Sequence, residues 1–512
     1  MASRAGPSLL TGASWAKVDT RRPSWQGHTR RMGGDMAQVA TDKGTHEGGE
    51  LKRVMGPWLL LLFIVGDILG TGVYALTGDV AAEVGGAAWA PFIVAFAIAM
   101  VTAFSYLELV TKYPQAAGAA LYTHKAFGIH FLTFMVAFTV MCSGITSAST
   151  ASRAFASNLA KGFSLDDENT TLITLIALGF MAVVALVNLR GVGESVKANI
   201  VLTLVELSGL LLVIFVGFFA IFAGKGDFSR TMIFESPSDK STFFAVTAAT
   251  SLAFFAMVGF EDSVNMAEET KDPVRIFPRV MISGLGITGV IYVLVSLCAV
   301  AIVPVGDLAA SDTPLVTVVE RAAPDVPIKD LLPFISMFAV ANSALINMLM
   351  ASRLLYGMSR QEVLPHFLGK VHPRRQTPWT AIVFTTLLAF GLIVYVSGAS
   401  EDAVSALGGT TSLLLLGVFT IVNIVVLVLR RDPQQSSHFV TPSVLPVVGA
   451  IACFFLVLPW SGRPSEHYVI AGGLLALGVV LWALTWMANR GLRGRKTYFR
   501  DTDDISGNGP VN

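Results

Sequence analysis

Twelve apolar stretches, most of about twenty residues or more, decide what this chain can become. They fall near 57–78, 89–111, 128–152, 170–189, 197–223, 243–267, 278–303, 331–357, 378–397, 403–429, 443–461 and 467–488. A helix needs about 20 apolar residues to cross about 30 Å of hydrocarbon. Inside hydrocarbon every main-chain N–H and C=O must also be satisfied by the protein itself. The runs are continuous and do not alternate, which disfavours a closed β-barrel. The expectation is an all-α polytopic membrane protein of about twelve transmembrane helices. Composition agrees: of 512 residues 53% are hydrophobic and 14% charged, against roughly 25% charged in soluble domains.

Several function classes fall away. The net charge of +1 lacks the basic excess of a nucleic-acid partner. Cys142, Cys298 and Cys453 all lie within apolar runs, which excludes a disulfide framework and a cysteine-ligated zinc site. No cofactor and no metal are expected. The phosphate-cradling G-x-x-x-x-G-K-[ST] loop is missing, and His46-Glu47-Gly48-Gly49-Glu50 lacks the second histidine of a zinc protease. The longest connection, 304–330, is too short for a soluble catalytic domain. No enzyme is expected.

Residues 1–52 are polar and read as a disordered cytoplasmic tail; Arg21-Arg22 is followed by no hydrophobic stretch of a signal peptide. Residues 53–223 and 243–429 form two halves of five spans each, 443–488 two further spans, and 489–512 a C-terminal cytoplasmic tail. Lysine and arginine concentrate on one side, most clearly at Arg353, Arg360, Lys370, Arg374 and Arg375. By the positive-inside rule both termini are cytoplasmic, in a cell membrane crossed many times.

Two spans are interrupted at corresponding places in the two halves. The first reads Gly66-Asp67-Ile68-Leu69-Gly70-Thr71-Gly72, and the sixth Ala256-Met257-Val258-Gly259-Phe260-Glu261-Asp262. Glycine lowers helix propensity by about 1 kcal/mol, and a carboxylate in hydrocarbon is more costly still. With an odd number of spans per half, any repeat is inverted in topology. Paired glycine-broken spans point to a midplane transport site, although membrane helices also use glycine for close packing. Asp67, Glu206, Glu261 and Asp262 are acids at membrane depth, and Glu108 lies near a span end, where it can snorkel or pair.

Four stretches carry a resemblance. Gly66–Tyr74 (GDILGTGVY), Tyr106–Gly128 (YLELVTKYPQAAGAALYTHKAFG), Phe254–Arg279 (FFAMVGFEDSVNMAEETKDPVRIFPR) and Ala351–Pro378 (ASRLLYGMSRQEVLPHFLGKVHPRRQTP) together resemble the amino acid–polyamine–organocation family of permeases, over about residues 52–500. The resemblance implies a leucine-transporter-like five-plus-five inverted repeat with two additional C-terminal helices. It also implies alternating-access uptake of amino acids or related amines. It matches Phe260 to an aromatic that gates the site from outside; the alternative for this ring is lipid or core packing.

The residues themselves suggest how a substrate is held. Where the first span unwinds, the amides around Gly70, Thr71 and Gly72 begin a half-helix whose N-terminus attracts a carboxylate. Freed carbonyls near Val65, Gly66, Ala256 and Val258 can accept bonds from an ammonium. Ser143, Thr146, Ser147 and Ser343 are candidate lining hydroxyls, which also serve plain helix contacts. Asp67 stands where many members of the family carry a small or neutral polar residue, so it can hold a cationic substrate, a proton or a sodium ion, or serve structurally as a partner for arginine or a backbone cap. Glu206, in the fifth span, stands where several relatives have lysine; it is a candidate proton carrier or a buried hydrogen-bonding group. The expected function is a secondary permease importing amino acids, with a slight preference for cationic ones or amines, coupled to protons. The alternatives are an uncoupled exchanger and, from another class, a non-transporting nutrient sensor, for whose signalling tail residues 490–512 are short.

Overall fold

A computed structural model describes residues 55–492 apart from 116–117, 167–168, 191–194, 236–239, 361–362, 376, 401 and 432–437. The tail expected at 1–52, and all but the first residues of that at 489–512, lie outside the described residues. Among those described, the structure is almost wholly helical and contains no β-strand. In order the helices are α1 (Pro57–Ile68), α2 (Thr71–Val84), α3 (Trp89–Lys112), α4 (Gly118–Phe127), α5 (His130–Gly162), α6 (Thr170–Arg190), α7 (Ser195–Phe222) and α8 (Thr242–Ala253). They continue with α9 (Pro273–Ile302), α10 (Val305–Ala309), α11 (Pro314–Ala322), α12 (Ile328–Arg360), α13 (Trp379–Ala399), α14 (Ala403–Leu429), α15 (Val444–Val457) and α16 (Ser465–Leu492).

Among the described residues, eleven helical units are long and apolar enough to cross a membrane, with Pro57–Val84 and Thr242–Met266 each counted as one. The stretch expected as a span at 443–461 departs from this. Its helix, α15, has 14 residues, roughly 21 Å at 1.5 Å per residue. The cause is Pro459, which disfavours helical geometry in the residue before it: Leu458 is extended, with ψ 152°, and a short 3-10 turn follows.

The interior is built around α5, α12 and α14. In α5, Ser and Thr hydroxyls return to carbonyls one turn back, as Thr146 does to Cys142 (3.1 Å) and Ser149 to Ile145 (2.8 Å), so a polar helix can sit inside a membrane bundle. Small residues then allow close packing: a Cβ on Gly144 would lie 3.3 Å from the Asn347 carbonyl oxygen of α12.

The first span breaks at Leu69–Gly70, between α1 and α2. The three glycines around the break are sites of close approach. A Cβ on Gly66 would come within 1.9 Å of Thr203 Oγ1 on α7, on Gly70 within 2.0 Å of Ser343 Oγ on α12, and on Gly72 within 2.4 Å of Ala256 Cα. Gly66 is helical, within α1; its part is to let α7 approach. The sixth span ends its α-helix at Ala253, makes a 3-10 turn over Phe254–Met257, loses helical form through Gly259, and resumes as a 3-10 turn over Asp262–Met266. Gly259 has φ +118°, which only glycine adopts readily, and a Cβ there would lie 2.8 Å from the Asp67 carbonyl. The two breaks touch.

Candidate substrate site

A narrow cavity with about 30 Å³ open to a water-sized sphere lies where the breaks meet, room for about one or two waters. Of the residues singled out from sequence, Asp67, Gly70, Thr71, Gly72, Val258, Ser143, Ser147 and Ser343 line it. Among the described residues, no lysine, arginine or histidine lines it.

Two chemically distinct kinds of group line the cavity. The first is the N-terminus of α2. Its N-cap is Gly70, which supplies no side-chain cap, so the first-turn amides lack intrahelical partners. Beside them, the hydroxyls of Thr71 and Ser343 are buried and find no hydrogen-bond partner among the described residues. The second is the set of carboxyls of Asp67, Glu261 and Asp262. Asp67 and Glu261 are each 7% exposed, and Asp67 lies within electrostatic reach of Glu261, Asp262 and Glu206. Glu261 closes the sixth-span break by accepting the Gly259 amide at 2.8 Å. Asp67 Oδ2 has no partner among the described residues. Three carboxyls therefore face a cavity whose described lining holds no cationic side chain.

Other expected residues lie elsewhere. The Val65 carbonyl accepts the Leu69 amide at 2.9 Å, so it is not freed by the break. Gly66 packs on Thr203 and Ala256 on Gly72, and neither lines the cavity. Thr146 is behind the wall, 2.7 Å from the hydroxyl of Thr411, which does line it. Phe260 is fully buried in an aromatic cluster, edge-on to Tyr106 at 5.8 Å and beside Phe419 at 5.4 Å. The sixth-span aromatic on the cavity is Phe255 instead.

Glu206 does not line the cavity. It is fully buried on α7, with neither carboxylate oxygen hydrogen-bonded to a described residue. Two tyrosines connect its neighbourhood to the broken span: Tyr74 donates to the Glu206 carbonyl at 2.9 Å, and Tyr292 donates to the carbonyl of Ile68. Glu108 finds the partner that its position allowed. Its carboxylate takes Arg430 Nε at 2.8 Å and Nη2 at 2.7 Å, plus the Thr441 amide at 2.8 Å. That bond holds the Arg430 guanidinium above its ordinary pKa.

Sequence reading passed over Asn347, Phe255 and Thr411. Asn347 was accessible to it, since it follows Ser343 by four residues on one helix face and is a polar residue within an apolar span. A second, smaller cavity shares Val140, Glu261, Asp262 and Leu354 with the first and extends to the start of α4.

Comparison with known proteins agrees with this architecture. Residues 55–487 match the family model described as amino acid permease. The chain is 26% identical over 454 residues to the branched-chain amino acid permease BcaP of Bacillus subtilis, covering 85% of this chain and 93% of that protein. It is 26% identical over 463 residues to the methylthioribose transporter of the same organism, with the same coverage of 85% and 93%. The chloroplastic cationic amino acid transporter 7 of Arabidopsis thaliana is 26% identical over 366 residues, 67% of this chain and 61% of that one. Among solved structures, a point mutant of the Eremococcus coleocola manganese transporter has the same fold, with a TM-score of 0.55 at 14% identity over 87% of this chain and 98% of that one. With its broken spans, its central cavity and a family match across most of its length, the chain belongs to the amino acid permeases of the amino acid–polyamine–organocation family and is a membrane transporter, not an enzyme.

Proposed function

We propose that this permease imports amino acids by alternating access, favours cationic amino acids or amines, and couples their uptake to protons. One observation carries the reading: the uncapped N-terminus of α2 and the carboxyls of Asp67, Glu261 and Asp262 border a single cavity. An α-carboxylate is complementary to the first-turn amides of Thr71 and Gly72. An ammonium is complementary to the acids, and so many carboxyls without a cationic side chain favour a substrate with positive charge beyond the α-amino group. The similarity to a plant cationic amino acid transporter supports that preference; the similarity to a branched-chain permease supports amino acids generally.

Glu206 is the proposed proton carrier. It is buried, uncompensated among the described residues and within electrostatic reach of Asp67, so loading and unloading a proton changes the electrostatics beside Asp67. The two broken spans belong to inverted five-span halves that rock about the cavity, in a cell membrane with both termini cytoplasmic.

The test is uptake of labelled lysine, putrescine and leucine into proteoliposomes, with and without an inward proton gradient, by the parent protein and Glu206→Gln. The expected result is gradient-driven accumulation of lysine or putrescine above leucine. Glu206→Gln keeps shape and hydrogen bonding without titrating, and should retain exchange but lose accumulation. Gradient-independent uptake, or full accumulation by the variant, contradicts the coupling role.

A further inference from the structure

Away from the candidate substrate cavity, a groove of about 460 Å³ lies between the end of α16 and the loop after α12. Its floor is apolar, formed by Leu364, Phe367, Leu484 and Ala488, and its rim carries His366 and Lys370. Among the described residues, no carboxylate lines it. Phe367 is 58% exposed and Leu484 51%, so this apolar surface faces outward from the bundle. The same loop continues through Arg374 and Arg375, both exposed. On α16, Arg490 lies 4.7 Å over the ring of Trp486, which stacks on Trp482. Tryptophan and arginine at the end of a spanning helix mark the depth where hydrocarbon gives way to headgroups. The groove thus combines an apolar floor with the Lys370 ammonium and the His366 imidazole at that depth.

We propose that it binds one anionic phospholipid, with an acyl chain along Leu484, Ala488 and Phe367 and the phosphate at Lys370 and His366. Basic clusters at the ends of spanning helices attract anionic headgroups. An uncharged lipid fits the floor but leaves the Lys370 ammonium unmatched. The chain's own C-terminal segment is a poorer occupant, because it begins with Arg493, Arg495 and Lys496, of the same sign as the rim.

Native mass spectrometry of the full chain tests this, using phosphatidylglycerol, phosphatidylcholine and inorganic phosphate as separate probes. Phosphatidylglycerol should be retained over phosphatidylcholine, and inorganic phosphate should not be retained. Lys370→Gln should weaken that retention about fivefold, the effect of one charge near an anionic headgroup, and Ala488→Trp, which fills the floor, should lower retention of both lipids. Equal retention of the two lipids overturns the proposal. So does unchanged phosphatidylglycerol binding in Lys370→Gln, the result expected if the C-terminal segment fills the groove, and so does retention of phosphate alone.

Discussion

Two sets of buried carboxyls share this bundle and are treated in opposite ways. Glu108, 3% exposed, is met by a bidentate arginine and a main-chain amide, which is how a membrane protein neutralises an acid that only holds helices together. Asp67 and Glu206 are comparably buried, yet Asp67 Oδ2 and both Glu206 oxygens lack partners among the described residues. Leaving such groups unmatched is destabilising, and in membrane spans acids of that kind mark substrate or ion pathways. The contrast separates a staple from a candidate site within one chain.

Breaking the frame that holds the site should have the largest effect. A Cβ on Gly72 would meet the backbone of Ala256 at 2.4 Å, and neither broken span can withdraw without opening the junction between them. Gly72→Val should therefore yield little monodisperse protein in size-exclusion chromatography. A well-folded, transporting Gly72→Val would show that the two breaks are not locked together.

The staple should fail in a different way. Glu108→Ala removes a buried partner and strands Arg430. Breaking a buried pair costs about 3–5 kcal/mol, and the 23% exposure of the arginine side chain argues for the lower end. Thermal unfolding in detergent should move to markedly lower temperature, while the lysine-to-leucine uptake ratio of the surviving protein stays at the parent value. A changed ratio with unchanged stability would reverse the assignment of the two regions.

Much of this contrast was legible in the sequence, because both breaks are written in glycine and acid. Asp67, Gly70, Thr71, Gly72 and Val258, picked out by their positions in interrupted spans, are among the residues that line the cavity. What sequence could not supply was direction. Gly66 and Gly72 look alike in the motif, but one faces α7 and the other the sixth span, a choice made by tertiary packing. Phe260 and Phe255 are five residues apart, and the irregular backbone between them, with Gly259 at φ +118°, removes the helical periodicity that would have said which ring faces inward. The shortness of α15 was readable from Pro459. The partner of Glu108 lies far along the chain in Arg430, and no local pattern reports a contact of that range.

The central claim is that unpaired acids, Asp67 first among them, select positive charge. The most direct measurement is the ratio of lysine to leucine affinity in purified Asp67→Asn against the parent, by competition binding at fixed pH. The variant keeps the shape of the side chain and removes its charge. Selection by charge predicts that lysine weakens about tenfold, equivalent to roughly 1.4 kcal/mol, while leucine changes little. Equal weakening of both, or no change in either, would contradict it.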